Sequence, residues 1–111
     1  MGRFKNHVGS ITINGDTFPA AINYALMDEL EAEGIDFNNL LGDEKGRFKR
    51  IACLVTKAIN TGYRLSGSNE RVTDSEVLDV LSPDNHEEIL NQIAALLGQS
   101  GRKVIAEPPK N

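Results

Sequence analysis

Asn14-Gly15 lies between two short runs of strand-forming residues, and it narrows what the chain can become more than any other dipeptide in it. The run at 8–13, V-G-S-I-T-I, places Ile11 and Ile13 on one face. Asn-Gly readily adopts the two positive φ values of a type I′ turn, and Asp16-Thr17-Phe18 then makes a short return strand. A lone hairpin is marginal in water, so this ribbon has to lean on helices or on another chain. Unless something covers it, the hairpin edge offers unpaired backbone groups as a docking edge; the plainer alternative is an edge capped by the N-terminal residues.

The periodicity downstream supplies the helices. Pro19 fits the first turn of a helix over 20–33, with Ile22, Leu26, Met27 and Leu30 on one stripe and Tyr24, Asp28 and Glu31 opposite. Gly34 suits its C-terminal cap. A short helical turn follows at 35–41, capped by Asp36 with Phe37, Leu40 and Leu41 inward, and then a polar loop at 42–46. The central helix spans 47–63 with the stripe Phe48, Ile51, Ala52, Val55, Ala58 and Ile59, and Gly62 is its expected end. After a loop at 65–71, Thr73 and Glu76 have the spacing of a capping box, which opens a short helix ending near Leu81. Ser82-Pro83 restarts a helix carrying Ile89, Leu90, Ile93, Leu96 and Leu97, ended by Gly98 or Gly101. The expected fold is mainly α (α+β): an N-terminal β-hairpin followed by about four to five short helices packed as one small bundle. Residues 1–7 are expected to be a flexible N-terminus, 8–101 the single domain and 102–111 a disordered tail, since two prolines and a terminus discourage regular structure.

Composition bounds the function. At 111 residues there is room for one domain, and with aromatics at 5% and no Trp its core has to be aliphatic. The net charge of -4 and a pI near 5.1 disfavour nucleic acid and anionic membranes as partners. One cysteine excludes an internal disulfide, no apolar run approaches the ~20 residues of a membrane span, and the N-terminus lacks a signal peptide's apolar stretch. A cytoplasmic location is expected.

Candidate chemistry is sparse. One Cys and two His, without a glycine-rich phosphate loop, predict no catalytic residue, no metal ligand and no cofactor. Cys53 with His86 or His7 could form a nucleophile pair, but no motif surrounds it; the plainer reading is a small residue at a secondary contact or on the surface. His86 falls on the apolar side of the last helix. Glu29 and Glu33 share one edge of their helix and Asp28 and Glu31 another, either paired acid–base carboxylates or, the plainer reading, a solvated acidic face. Arg47, Arg50 and Lys57 share a stripe beside Leu54, either a recognition helix for DNA or cations whose stems cover a core face. The partner-binding candidates are therefore Ile11, Ile13, Tyr24, Asp28, Glu31, Arg47, Arg50 and Lys57.

In order, I-T-I-N-G-D-T-F-P at 11–19, E-L-E-A-E-G at 29–34, F-N-N-L-L at 37–41, the apolar helix at 47–63, T-D-S-E-V-L-D-V-L at 73–81 and a last helix at 84–98 resemble the tail assembly chaperones of long-tailed phages. The resemblance covers about residues 8–98. It implies a non-enzymatic protein that binds the tape measure protein and recruits major tail (tube) subunits. Such a protein works in the host cytoplasm, can self-associate and is absent from the mature virion. It implies no nucleic acid and no membrane partner. Two other readings stand beside it: a small phage or bacterial DNA-binding regulator, and a structural head–tail or tail component of the virion.

Overall fold

The computed structural model describes residues 7–35 and 45–99. The expected short turn at 35–41 except Ile35, most of the loop at 42–46, the expected flexible N-terminus except His7, and the tail lie outside the described residues. Within them, a two-stranded antiparallel hairpin, β1 (Gly9–Ile13) and β2 (Asp16–Ala20), precedes four helices. These are α1 (Tyr24–Ala32), α2 (Arg47–Leu65), α3 (Asp74–Val80) and α4 (His86–Gln99). The α+β class with helices dominant is as expected.

Asn14 (φ 53°) and Gly15 (φ 91°) both take the positive values that a type I′ turn requires. β2 runs two residues further than the expected return strand, and Pro19 sits in it rather than in a helix. The register explains how the ladder tolerates proline. Bonded and non-bonded pairs alternate from the closing pair Ile13–Asp16, so Ser10–Pro19 is a non-bonded pair. The missing N–H therefore belongs to the outer edge, where proline is allowed. One face carries Ile11, Ile13 and Ala20 into the core with half-buried Phe18. On the other face the hydroxyls of Thr12 and Thr17 meet at 2.9 Å.

α1 starts at Tyr24, four residues later than the periodicity predicted. Two bonds set that start. The Ala21 N–H donates to the Ala58 carbonyl of α2 at 3.0 Å, and Asn23 caps the helix by accepting from the Leu26 N–H at 3.0 Å. Ile22 is buried all the same, from extended backbone. Gly34 (φ 81°) ends α1 as expected, with the Ile35 N–H returning to the Leu30 carbonyl and the Gly34 N–H to Glu31.

α2 is the central element, packed on both strands, α1 and α3. It does not stop at Gly62. A side chain there would put its Cβ 2.4 Å from the backbone N of Ala20 and the carbonyl carbon of Pro19, so glycine lets the hairpin cross α2 backbone to backbone. The glycine that ends α2 is Gly67 (φ 83°), with Ser68 N–H bonded to the Tyr63 carbonyl. Cys53 is buried on the α1 side of this helix and not on the surface.

The Thr73–Glu76 capping box forms as predicted: Glu76 N–H donates to Thr73 Oγ1 (3.2 Å) and Thr73 N–H to Glu76 Oε1 (2.8 Å). Asn60 of α2 holds the approach to α3 by bonding both backbone groups of Val72. Pro83 lies in a turn rather than in a helical first turn. That turn is closed by Asn85 N–H to the Ser82 carbonyl and by Ser82 N–H to Asn85 Oδ1, so α4 begins at His86 and runs through Gly98. Buried Asn85 also donates to Asn14 Oδ1 and to the Val80 carbonyl, joining the hairpin tip to α3 and α4. α4 packs across β1.

Candidate functional site

The hairpin edge is not an open docking edge at its centre. Thr12 occupies a non-bonded position of the ladder, so its N–H and C=O point away from β2. Gln92 of α4 takes both: Thr12 N–H donates to Gln92 Oε1 at 2.7 Å, and Gln92 Nε2 donates to the Thr12 carbonyl at 2.9 Å. One side-chain amide thus acts as a one-residue third strand, where the sequence had suggested either a free edge or one capped by the N-terminus. Ile11 (0% exposed) and Ile13 (4%) are core residues, which removes their side chains from any partner's reach.

The other predicted partner residues are scattered. Tyr24 is 85% exposed, with Asp28 and Glu31 exposed on the same helix. Arg47, Arg50 and Lys57 do not form one basic face. The Arg47 guanidinium stacks 4.8 Å from the centre of its neighbour's ring, Phe48, and Arg50 Nη1 donates to the Lys45 carbonyl at 3.0 Å. Lys57 is turned to α1, with Nζ 2.8 Å from Glu33 and 3.6 Å from Glu29. Glu29 and Glu33 do share an edge, and that edge clasps Lys57. The hydrogen bond from Lys57 holds the Glu33 carboxyl below its usual range, and the same bond raises Lys57. The Cys53 thiol donates to Glu33 at 3.5 Å and is pushed up to about 11, first by burial and then by the Glu33 charge. Both effects favour the protonated thiol over the thiolate, which is the nucleophilic form. Among the described residues no three His, Cys, Asp or Glu side chains could hold a metal ion, and no helix is long and apolar enough to cross a membrane.

The structure opens a site that the sequence reading missed. The first turns of α2, the end of α3 and the 82–86 segment enclose a groove of about 480 Å³. Phe48 (62% exposed), Leu78 (41%) and Ile51 make its apolar wall, with Arg47, Pro83 and His86 at its margin. His86 meets the Phe48 ring edge-on, with the centroids 6.3 Å apart. The helical stripe of α2 had placed Phe48 inward. It lies one turn ahead of Ile51, the first buried residue of that stripe, and is itself exposed. A stripe's angle tells which way a residue faces but not where the covering ends. A second, polar depression of about 300 Å³ lies between α1, the middle of α2 and the start of α3. Its lining includes Lys57, Thr61, Arg64 and Arg71.

Against known protein families, curated proteins and solved structures, the chain finds no match.

Proposed function

We propose that this chain is a non-enzymatic assembly chaperone of phage or prophage tails, acting in the host cytoplasm. It binds the tape measure protein and recruits tail tube subunits, and the Phe48 groove is where a client docks. The observation that carries the reading is an aromatic side chain left 62% exposed on the wall of an apolar groove of about 480 Å³. Large apolar side chains gathered at a concave surface mark interaction sites, and fully burying a Phe contributes about 1.5–3 kcal/mol. The order of a hairpin with an Asn-Gly turn, a central apolar helix and a Thr-capped helix before the last one supports the same reading through the resemblance. The DNA-binding alternative draws less support, because Lys57 is engaged by Glu33 and Glu29 and the basic stripe is broken.

Co-expression with the tape measure and tail tube proteins tests it. The expected result is retention of one or both on the tagged chain at low salt, weakened by Phe48→Ser. If neither is retained or kept soluble, the reading fails. If retention persists undiminished in Phe48→Ser, the groove is the wrong surface.

A further inference from the structure

The turn of the hairpin carries chemistry of its own. Asn14 is the one asparagine in the chain that precedes a glycine. The backbone nitrogen of the following residue can attack an asparagine amide carbon, and a side chain on that residue shields the nitrogen. Gly15 has none. Both residues are exposed, and a Cβ at Gly15 would meet nothing within 4 Å. The ladder closes at the pair Ile13–Asp16, so the Gly15 N–H stands outside it.

The closed fold holds these two groups in the wrong geometry. Ring closure needs the Gly15 nitrogen and the Asn14 Cβ on the same side of the Asn14 Cα–C bond. With φ 53° at Asn14 and φ 91° at Gly15, Asn14 lies in the left-handed region, where ψ is roughly +30 to +60°. There the nitrogen stands nearly opposite Cβ. The side chain is held too: Asn14 Oδ1 accepts from Asn85 Nδ2 at 3.1 Å, and Asn14 Nδ2 donates to the Val80 carbonyl at 3.5 Å. Buried Asn85 cannot turn to follow, because its Oδ1 accepts the Ser82 N–H and its Nδ2 also donates to Val80, each at 2.9 Å. The turn must open, and Asn14 must leave Asn85, before the attack can occur.

We propose that Asn14 is a site of spontaneous deamidation, gated by release of the hairpin tip from Asn85, and that its products do not fit the closed tip. The Gly15 nitrogen bonds to Asn14 Cγ, the Cγ–Nδ2 bond breaks, and the Gly15 N–H proton leaves with Nδ2 as ammonia. Water then opens the succinimide. Cleavage at Cγ gives aspartate, and cleavage at the main-chain carbonyl gives isoaspartate. In aspartate an oxygen replaces Nδ2 and faces the Val80 carbonyl, acceptor against acceptor. In isoaspartate Cβ enters the main chain, and a type I′ turn of two residues has no place for the extra atom. This inference rests on no reading of what the chain binds.

The test incubates the full chain at mildly alkaline pH, native and in denaturing urea, and maps aspartate and isoaspartate by peptide mass spectrometry. Conversion is expected first at Asn14. An open state populated at roughly 0.1–10% makes the native rate about ten- to a thousandfold lower than the rate in urea. Asn85→Ala should raise the native rate several-fold while circular dichroism shows the helices intact. If that variant unfolds, Asn85→Asp takes its place, since it keeps an acceptor for the Ser82 N–H and offers Asn14 no donor. Gly15→Ala, compared in urea where folding plays no part, should slow conversion. Asn14→Asp should lower the thermal midpoint. Equal rates in native and urea samples, or a native rate that the Asn85 variants leave unchanged, overturn the gate. Conversion at other asparagines as fast as at Asn14 overturns the site, and an unchanged midpoint in Asn14→Asp overturns the misfit of the product.

Discussion

Among the described residues, the outer edge of β1 and the groove at the start of α2 are two places where this fold meets its surface unfinished, and they are finished differently. At β1 the exposed groups are a backbone N–H and C=O. Leaving them half-buried without partners is costly, and Gln92 satisfies both. At α2 the exposed groups are the Phe48 ring and Leu78, which need no hydrogen bonds, and the fold leaves them open. The difference teaches that an unmade hydrogen bond drives a chain to close a surface from within, whereas an uncovered apolar wall can persist until something else covers it.

Four measurements break or sharpen that contrast, beginning with the hairpin's seat on α2. Gly62→Ala would put a Cβ 2.4 Å from the backbone of β2, where no side chain can swing aside. The expected loss is at least about 2 kcal/mol in urea unfolding, despite the roughly 1 kcal/mol gain in helix propensity that alanine brings. A neutral result would mean that the hairpin is not seated there. Gln92→Ala strips both Thr12 groups of their partner and should lower stability by about 1–3 kcal/mol. It should also make sedimentation concentration-dependent, because the edge is then free to pair; a monomer at every concentration would argue that the edge is closed by other means.

The third measurement concerns pH. Glu33 is lowered, so its contribution is present above its unfolded value of 4.5 and is lost as pH falls through the folded value. Lys57 is raised, so its contribution is present below 10.5 and is lost as pH rises through the folded value. The pair therefore stabilises across the neutral range. The Glu33 side chain is half exposed, which keeps the effect under about 1 kcal/mol. Denaturation midpoints of Lys57→Met should flatten at both pH limits relative to the parent, and identical profiles would remove the pair from the account. Smallest in stability is Phe48→Ser, within about 0.5 kcal/mol, because little of that ring is covered. A loss several times larger would place Phe48 in the core after all and end its role as an open wall.

What could be seen in the residues and what could not divides along sequence distance. The Asn14-Gly15 turn, the Gly34 cap and the Thr73–Glu76 box each depend on neighbours within a few positions, and each formed as predicted. The core stripe of α2 was legible from its period as well. The start of α1 was not, because the Ala21 N–H is held by Ala58, and no local pattern announces that partner. Gly62 reads as a helix end until the strand crossing it is known, and Gln92 reads as an ordinary surface amide until β1 lies beneath it. For the candidate sites the limit was the same. Ile11 and Ile13 alternate as either a buried or a docking face would, and Phe48 keeps the helical period whether or not anything covers it.

Gln92 also has a meaning for how the chain is made. The group that closes β1 lies 80 residues beyond the one it serves. At roughly 5–20 residues per second, the ribosome delivers that amide on the order of 4–16 seconds after Thr12. Through that interval the nascent hairpin carries an unmet edge and has no α4 to lie against. The hairpin is thus made well before the residue that seals it, and any other strand present on the polysome has those seconds in which to pair with it.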